Sequence, residues 1–156
     1  GHIFFLGNKY SAPMGAVIQN EKGDKVPLQM GCHGIGVSRL VGAIIEAHHD
    51  DAGIVWPDAV APFKVGLMNL RVGDEQCDSA CEFFYKEAEK RGFTILYDDT
   101  DARGGQKFAT MDLIGLPWQV VIGPRTAAEG KVEMKHRATG AKYELSIEDA
   151  LARLAV

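Results

Sequence analysis

Three glycines interleaved with larger residues, Gly31-Cys32-His33-Gly34-Ile35-Gly36, run directly into Val37-Ser38-Arg39-Leu40-Val41-Gly42-Ala43-Ile44-Ile45-Glu46. Val37, Leu40, Val41, Ile44 and Ile45 recur at i, i+3, i+4, i+7 and i+8, which is one stripe of an amphipathic helix. Glycine removes the Cβ that would keep a ligand away from the backbone. A strand of small residues feeding a helix that opens with an arginine makes a floor for a flat or anionic ligand. The guanidinium is permanently charged and planar, so it can stack on a base or fork onto a phosphate. The ordinary reading of the same residues is tight strand–helix packing with a surface arginine.

The chain has 156 residues, room for one ordinary domain or for one domain and part of another. A hydrophobic fraction of 46% with 24% charged residues suits a soluble globular protein. No apolar run approaches the ~20 residues that span a bilayer, and no basic-then-apolar leader is visible, so neither a membrane partner nor secretion is expected. Cys77 and Cys81 fall on one helix face without a second Cys or His pair at zinc-like spacing, and His48 and His49 are adjacent. With Cys32 they read as buried free thiols in a reducing cytoplasm, and no protein-held metal is expected. The net charge of −4 divides evenly between residues 1–60 and 61–156. Any nucleic-acid signal must therefore be local, and no DNA partner is expected.

Residues 1–30 read as short strands, Ile3–Leu6 and Ala16–Gln19, then a polar turn at 20–25 and an extended Val26–Met30. They suit an antiparallel sheet. About 50 residues with a single helix do not enclose a core, so this piece reads as incomplete. The helix after the glycines is expected to run to about His49 and to stop at Asp50–Gly53. Pro57 and Pro62 bias their neighbours to extended conformations and mark a linker at 57–62, separating residues 1–56 from 63–156.

Beyond the linker, strands and helices alternate. Phe63–Leu70 is strand-like. Asp74 caps a helix through Arg91 with Cys77, Cys81, Phe84 and Ala88 inside and Gly92 at its end, and Glu82–Lys86 and Glu87–Arg91 are expected as ion pairs along it. Phe93–Tyr97 is a second strand, Asp98–Gly105 a polar loop, Gln106–Ile114 a helix, and Trp118–Gly123 a buried strand. Lys131–Arg137 and Lys142–Leu145 make a hairpin about Ala138-Thr139-Gly140, and Ser146-Ile147-Glu148-Asp149 is a capping box for a last helix. The sum is an α/β domain with a five-stranded mixed, mostly parallel sheet and flanking helices. Between Arg125 and Lys142 five Lys or Arg face two Glu, a local excess of positive charge. Along that strand the period of two sends Val132, Met134 and His136 one way and Lys131, Glu133, Lys135 and Arg137 the other.

Gly34-Ile35-Gly36-Val37-Ser38-Arg39 resembles motif 3 of the class II aminoacyl-tRNA synthetases. Gly1-His2-Ile3-Phe4 with Gly7-Asn8-Lys9-Tyr10-Ser11 resembles the prolyl-tRNA synthetases in particular. Trp56-Pro57 followed by Ala61-Pro62-Phe63 resembles their crossing from catalytic to anticodon-binding domain. Tyr97-Asp98-Asp99, Arg103-Gly104-Gly105-Gln106-Lys107-Phe108, Asp112-Leu113-Ile114-Gly115-Leu116-Pro117 and Val120-Val121-Ile122-Gly123 are similar to the anticodon-binding domain of that subclass. The loop departs from many relatives in carrying Thr100 and Gly104 where they have a further Arg or Pro. No counterpart of the family's motif 1 helix or motif 2 arginine is found, so the chain resembles a C-terminal portion beginning inside a class II catalytic domain.

The resemblance implies a proline–tRNA ligase that activates proline with ATP, accompanied by magnesium, and transfers it to the terminal ribose of tRNA(Pro). It implies a homodimer of the full-length enzyme in the cytoplasm and a fragment inactive on its own. Arg39 is the expected nucleotide contact above the floor of Gly34 and Gly36. His2, Phe4 and Cys32 are candidates for the amino-acid pocket, with satisfied polar groups at a sheet edge as the plain alternative for His2. Arg103, Lys107, Glu133 and Lys135 are the expected anticodon contacts, since base reading needs donors and acceptors side by side. Two other readings stay open, a non-catalytic RNA-binding accessory subunit and a small-molecule-binding α/β domain with loop 98–107 as its cradle.

Overall fold

In the computed structural model, which describes residues 1–155, the glycine stretch is one half of a two-stranded ladder. The first 34 residues give β1 (His2–Gly7), β2 (Val17–Gln19), β3 (Lys25–Pro27) and β4 (Met30–Gly34). β1 runs antiparallel to β4 and β2 antiparallel to β3, so the expected antiparallel pairing is present as two separate ladders. The buried Ser11 hydroxyl, donating to the Leu28 carbonyl, ties the loop after β1 to the strand leading into β4. α1 (Val37–Ala47) follows, two residues shorter than its pattern suggested, and none of its residues is buried. Ile3, Phe5 and Val37 are 79%, 81% and 75% exposed, apolar side chains with no core of their own.

The molecule divides into two compact units, Gly1–Gly42 and Ala43–Val156. The second begins well before the proline-rich 57–62 stretch, and the reason lies in the residues after α1. Asp50–Gly53 does more than stop the helix. It forms the turn of a small hairpin, β5 (His49–Asp50) with β6 (Gly53–Ile54), in which the Asp50 carboxylate accepts from the Ala52 and Gly53 amides.

A 3-10 turn at Asp58–Val60 leads into an alternating series. It consists of β7 (Val65–Asn69), α2 (Glu75–Lys90), β8 (Ile95–Asp98), α3 (Gly104–Ile114), β9 (Trp118–Ile122), α4 (Pro124–Ala128), β10 (Lys131–His136), β11 (Lys142–Ser146) and α5 (Ile147–Arg153). Five strands form one mixed sheet in the order β11-β10-β9-β7-β8. β7 pairs in parallel with β8 and β9, whereas β10 pairs antiparallel with β9 and β11. The parallel share is thus two pairings of the four. The chain leaves β7 toward β8 and then crosses back to β9 on the other side of β7. Parallel crossovers keep one hand, so this reversal places α2 and α3 on opposite faces.

One face carries Val65, Leu67, Ile95, Val120, Ile122, Val132 and Met134, packed with Cys81, Phe84 and Ala88 of α2 and Ala150, Leu151 and Leu154 from the C-terminal end. Burial pushes the Cys81 thiol up to about 12, so it packs as an inert small hydrophobe. The other face holds a smaller cluster of Met68, Val121 and Met111. A Cβ on Gly66 would lie 2.7 Å from the Met111 Sδ, so glycine there admits α3 onto the sheet. On this face β10 and β11 extend past α3 and are left uncovered.

The caps follow the sequence. Asp74 accepts from the Cys77 amide, and Ser146 accepts from the Asp149 amide. Lys86–Glu82 forms at 2.7 Å, but Arg91 does not pair with Glu87. It sits at the end of α2, where its Nη2 alone reaches both carboxylate oxygens of Glu148 at 2.7 and 2.8 Å, and Glu87 pairs with Lys90 instead.

Arg137 is a second correction. The strand ends at His136, so the period of two no longer governs it, and its side chain is 5% exposed rather than solvent-facing. Its guanidinium grips both Asp50 oxygens at 2.7 Å and donates from Nε to the Asp112 carbonyl at 3.2 Å. Trp56 donates to the Gly115 carbonyl, and Gly115 adopts φ 76° where a Cβ would lie 1.8 Å from the Ile54 oxygen. The 49–56 hairpin is therefore built into the second unit.

The Asp50 carboxyl is held well below the usual carboxylate range, chiefly by Arg137. A depressed folded value binds its proton less readily than the unfolded chain does. The stabilisation is thus complete above the unfolded value of about 4 and is lost as pH falls toward the folded one. The thermal midpoint should be level from neutrality to about pH 5 and fall below about pH 4. Asp50→Asn should make that fall shallower, and an unchanged acid profile would remove the pair from the stability of the fold.

Candidate nucleic-acid interface

The reversal of the chain at β7 leaves a crevice outside the carboxyl ends of the parallel strands, the usual location of ligand sites in such sheets. Asn69, the last residue of β7, organises it. Its side-chain amide donates to Asp78 at 2.7 Å and to the Tyr97 hydroxyl at 3.4 Å, and its side-chain oxygen accepts from the Arg71 amide at 2.9 Å. Asp78 in turn receives the Gly73 amide. The crevice, about 330 Å³, is lined by Asn69–Val72 and Thr100–Gly104. Arg71 and Arg103 lie on it, and neither has an ion-pair partner among the described residues.

Lys107 lies beneath, not on, this surface. It is 1% exposed, and its ammonium donates to the Asn69 carbonyl at 2.7 Å and the Asp98 carbonyl at 3.2 Å, with the Asp98 carboxylate at 3.3 Å. Burial raises the Asp98 carboxyl, but the Thr100 hydroxyl and amide and the Lys107 charge outweigh it, so the net shift is downward. The expectation that Lys107 meets RNA directly is thereby corrected. α3 starts at Gly104, two residues earlier than its pattern suggests, and Lys107 and Met111, four apart, form its buried face.

Glu133 and Lys135 meet in a different place. On the uncovered part of the sheet a groove of about 510 Å³ runs between α3 and the β10–β11 hairpin. Gln119 and Val121 floor it, Phe108 and Asp112 come from α3, and Glu133, Lys135, Lys142 and Glu144 from the hairpin. Asp112 Oδ1 accepts from Lys135 Nζ at 2.7 Å and from Gln119 Nε2 at 2.8 Å. Burial opposes its ionisation, yet these two donors carry the carboxyl below its ordinary value. Glu133 pairs with Arg125 at 2.9 Å, and Arg125 reaches Glu144 at 3.0 Å. The structure thus joins Glu133 with Lys135 and places Arg103 in the crevice.

In the first unit His2, Phe4, Gly34, Ile35, Gly36 and Arg39 line one shallow cavity of about 440 Å³. The His2 and Phe4 rings are stacked at 5.7 Å, and nothing lies within 4 Å of where a Gly34 Cβ would stand. Arg39 has no ion-pair partner among the described residues. Cys32 lies opposite Phe4 in the ladder and does not line that cavity, and it is exposed rather than buried because β4 pairs with β1 alone and no core covers it. No cluster of three His, Cys, Asp or Glu able to hold a metal occurs among the described residues.

Residues 59–155 match the family model described as anticodon binding domain. The chain belongs to that family. The anticodon-binding domain thus takes in the sheet, α2 to α5, and both the crevice and the groove.

Close relatives include a proline–tRNA ligase of Parvibaculum lavamentivorans, 65% identical over 99% of this chain and 35% of its own length. Others are those of Rhizorhabdus wittichii, 63% identical over 99% of this chain and 36% of that one, and Caulobacter vibrioides, 60% over 97% and 34%. The chain spans about a third of the length of these relatives. A crystal structure of prolyl-tRNA synthetase from Cryptosporidium parvum, complexed with L-proline and AMP, shares the fold. Its TM-score is 0.78 at 24% identity, over 98% of this chain and 33% of that one.

Arg71 lines the crevice and Phe108 and Asp112 line the groove, and the sequence gives none of the three a role. Phe108 and Asp112 are four apart on one helix, a spacing that signals a shared face, but α3 is apolar enough on several sides to hide which face is wet.

Removing the Lys107 charge strands the Asp98 carboxylate and two carbonyls in a nearly closed site. Lys107→Met should lower the unfolding free energy by about 2–4 kcal/mol, read from urea denaturation. A stability equal to the parent's, with RNA binding alone impaired, would return Lys107 to the surface role.

Proposed function

We propose that this chain is the C-terminal part of a proline–tRNA ligase and holds the ATP floor of its catalytic domain together with its anticodon-binding domain. The observation that carries this reading is 65% identity to a proline–tRNA ligase over 99% of the chain. In the reaction so implied, the proline carboxylate attacks the α-phosphate of ATP to give prolyl-adenylate and pyrophosphate. A terminal ribose hydroxyl of tRNA(Pro) then attacks the activated carbonyl. Such chemistry rests on positioning and on stabilising developing charge.

Arg39 is assigned to the nucleotide, over a floor at Gly34, where nothing lies within 4 Å of a Cβ position, and Gly36, where the Arg39 Cβ lies 3.3 Å from it. His2 and Phe4, stacked beside that floor, are assigned to the amino-acid side, and Cys32 to the outer wall. Magnesium enters with ATP as part of the substrate. The catalytic piece is taken to end at residue 56, residues 57–62 to be the linker, and 63–156 the anticodon-binding domain. The full-length enzyme is taken to be a cytoplasmic homodimer.

In the full-length ligase, Arg39→Ala should depress proline-dependent ATP–pyrophosphate exchange by orders of magnitude, since a charged contact to a reacting nucleotide is worth about 2–4 kcal/mol. The 156-residue chain by itself should show no exchange. Near-parent exchange in the variant would take Arg39 out of the site, and exchange by the isolated chain would end the claim that it is inactive alone.

On the RNA side, Arg103→Ala and Lys135→Ala should each weaken binding of tRNA(Pro) by roughly 1–3 kcal/mol where the contact is to a base. Proline activation without tRNA should stay as it was. A double variant with the parent's affinity and salt dependence would show that neither residue belongs to the anticodon interface.

A further inference from the structure

A separate cavity of about 380 Å³ lies at the opposite end of the sheet from the crevice, where β7 and β8 begin. Its volume falls in the range of ordinary ligand pockets. Phe63 reaches it from the segment entering β7, Tyr85 and Glu89 from the last turns of α2, and Phe93, Thr94 and Ile95 from the return into β8. Tyr85 and Phe93 also pack against the main core, and the Tyr85 ring stands 6.2 Å from that of Tyr97. Two of the three aromatic walls are therefore held in place before anything binds.

Glu89 is the one charged residue that lines this cavity. Its carboxylate has no ion pair or hydrogen bond among the described residues, and it is exposed. The cations around it are taken by other carboxylates. Lys64 pairs with Asp58 at 3.0 Å, Lys86 with Glu82 at 2.7 Å, Lys90 with Glu87 at 2.6 Å and Arg91 with Glu148 at 2.7 Å. Glu89 moreover stands in the last turn of α2, where the helix dipole favours cations over carboxylates. An uncompensated negative charge thus sits beside aromatic rings, whose faces attract cations in their own right.

We propose that Phe63, Tyr85, Phe93 and Glu89 form a binding site for a small organic cation, an ammonium carried on an apolar body. The ammonium pairs with the Glu89 carboxylate, and the body fills the space between the rings. A polyanion such as RNA or ATP is repelled by the same carboxylate, so this site is separate from the nucleotide and RNA surfaces described above.

The test follows backbone amides by NMR while the 156-residue chain is titrated with three probes that share one body. The probes are phenethylammonium, neutral phenethyl alcohol and anionic hydrocinnamate, at neutral pH. Phenethylammonium should shift the amides of Gly92, Thr94 and Ile95 and bind about tenfold more tightly than the alcohol, the charged contact and the rings acting together. Hydrocinnamate should leave those amides where they are. Glu89→Gln, at an exposed position with no partner to lose, should cut the preference to about twofold, the part owed to the rings. Phe63→Leu should weaken the ammonium about threefold. Unchanged amides on the far side of the sheet report that both variants keep the fold. A lysine blocked as its acetyl methylamide carries the same charge on a peptide backbone and should bind more weakly than phenethylammonium. Tighter binding by it would overturn the choice of a small molecule over a partner's side chain. The site itself is overturned if phenethylammonium shifts none of the three amides, if the alcohol binds as tightly, if Glu89→Gln keeps the full preference, or if Phe63→Leu binds as the parent does.

Discussion

Burying an ammonium costs several kcal/mol unless its protons find oxygens, and Lys107 meets that condition with atoms from two strands at once. The Asn69 carbonyl ends β7, and the Asp98 carbonyl and carboxylate end β8. Because the lysine itself belongs to the first turn of α3, the three elements around the crevice share one charge. Asn69 extends the arrangement sideways to Asp78 and Tyr97. The position of Arg103, four residues before Lys107, follows from this buried contact. A loop whose one apolar residue is Ala102 has few apolar contacts to fix it, and here a charge supplies the fixed point.

A second shared group works on the far side of α3. Asp112 receives Lys135 and Gln119 on its carboxylate, while its backbone carbonyl receives Arg137. Arg137 passes on to Asp50 and so to the hairpin that follows α1. The uncovered groove and the docked 49–56 hairpin therefore depend on neighbouring atoms of one residue. Side chains joined in such a network do not contribute additively.

Much of this fold is written in local pattern. The cap at Asp74, the buried stripe Cys77, Cys81, Phe84 and Ala88, the turn at Gly140 and the cap at Ser146 depend on residues a few positions apart, and all were legible. What the sequence hid depends on partners distant along the chain. Arg137 bonds Asp50 across 87 positions, Arg91 bonds Glu148 across 57, and Lys107 bonds Asn69 across 38. Each of these cations reads as a surface residue until its partner is known, because a lysine or arginine is normally solvated. The same limit applies to the site. His2, Phe4, Gly34, Gly36 and Arg39 were singled out by the resemblance, and the antiparallel pairing of β1 with β4 is what sets them around one cavity, without Cys32. The separation of Arg103 from Glu133 and Lys135 was not legible, since it depends on where α3 lies against the sheet.

Charge pairing also bears on how a chain of net charge −4 would hold an RNA. Among residues 61–155 nine of the thirteen Lys and Arg are in ion pairs, among them Lys131 with Glu129, Arg125 with Glu133 and Glu144, and Lys135 with Asp112. Arg71, Arg103 and Lys142 are the cations without an ion pair that line the crevice or the groove among the described residues. Phosphate-driven affinity grows with the number of free cations and falls with salt in proportion to that number. Discrimination would have to come from base edges, where paired carboxylates and ammonium groups are no handicap, because a base asks for acceptors and donors in fixed positions rather than for net charge.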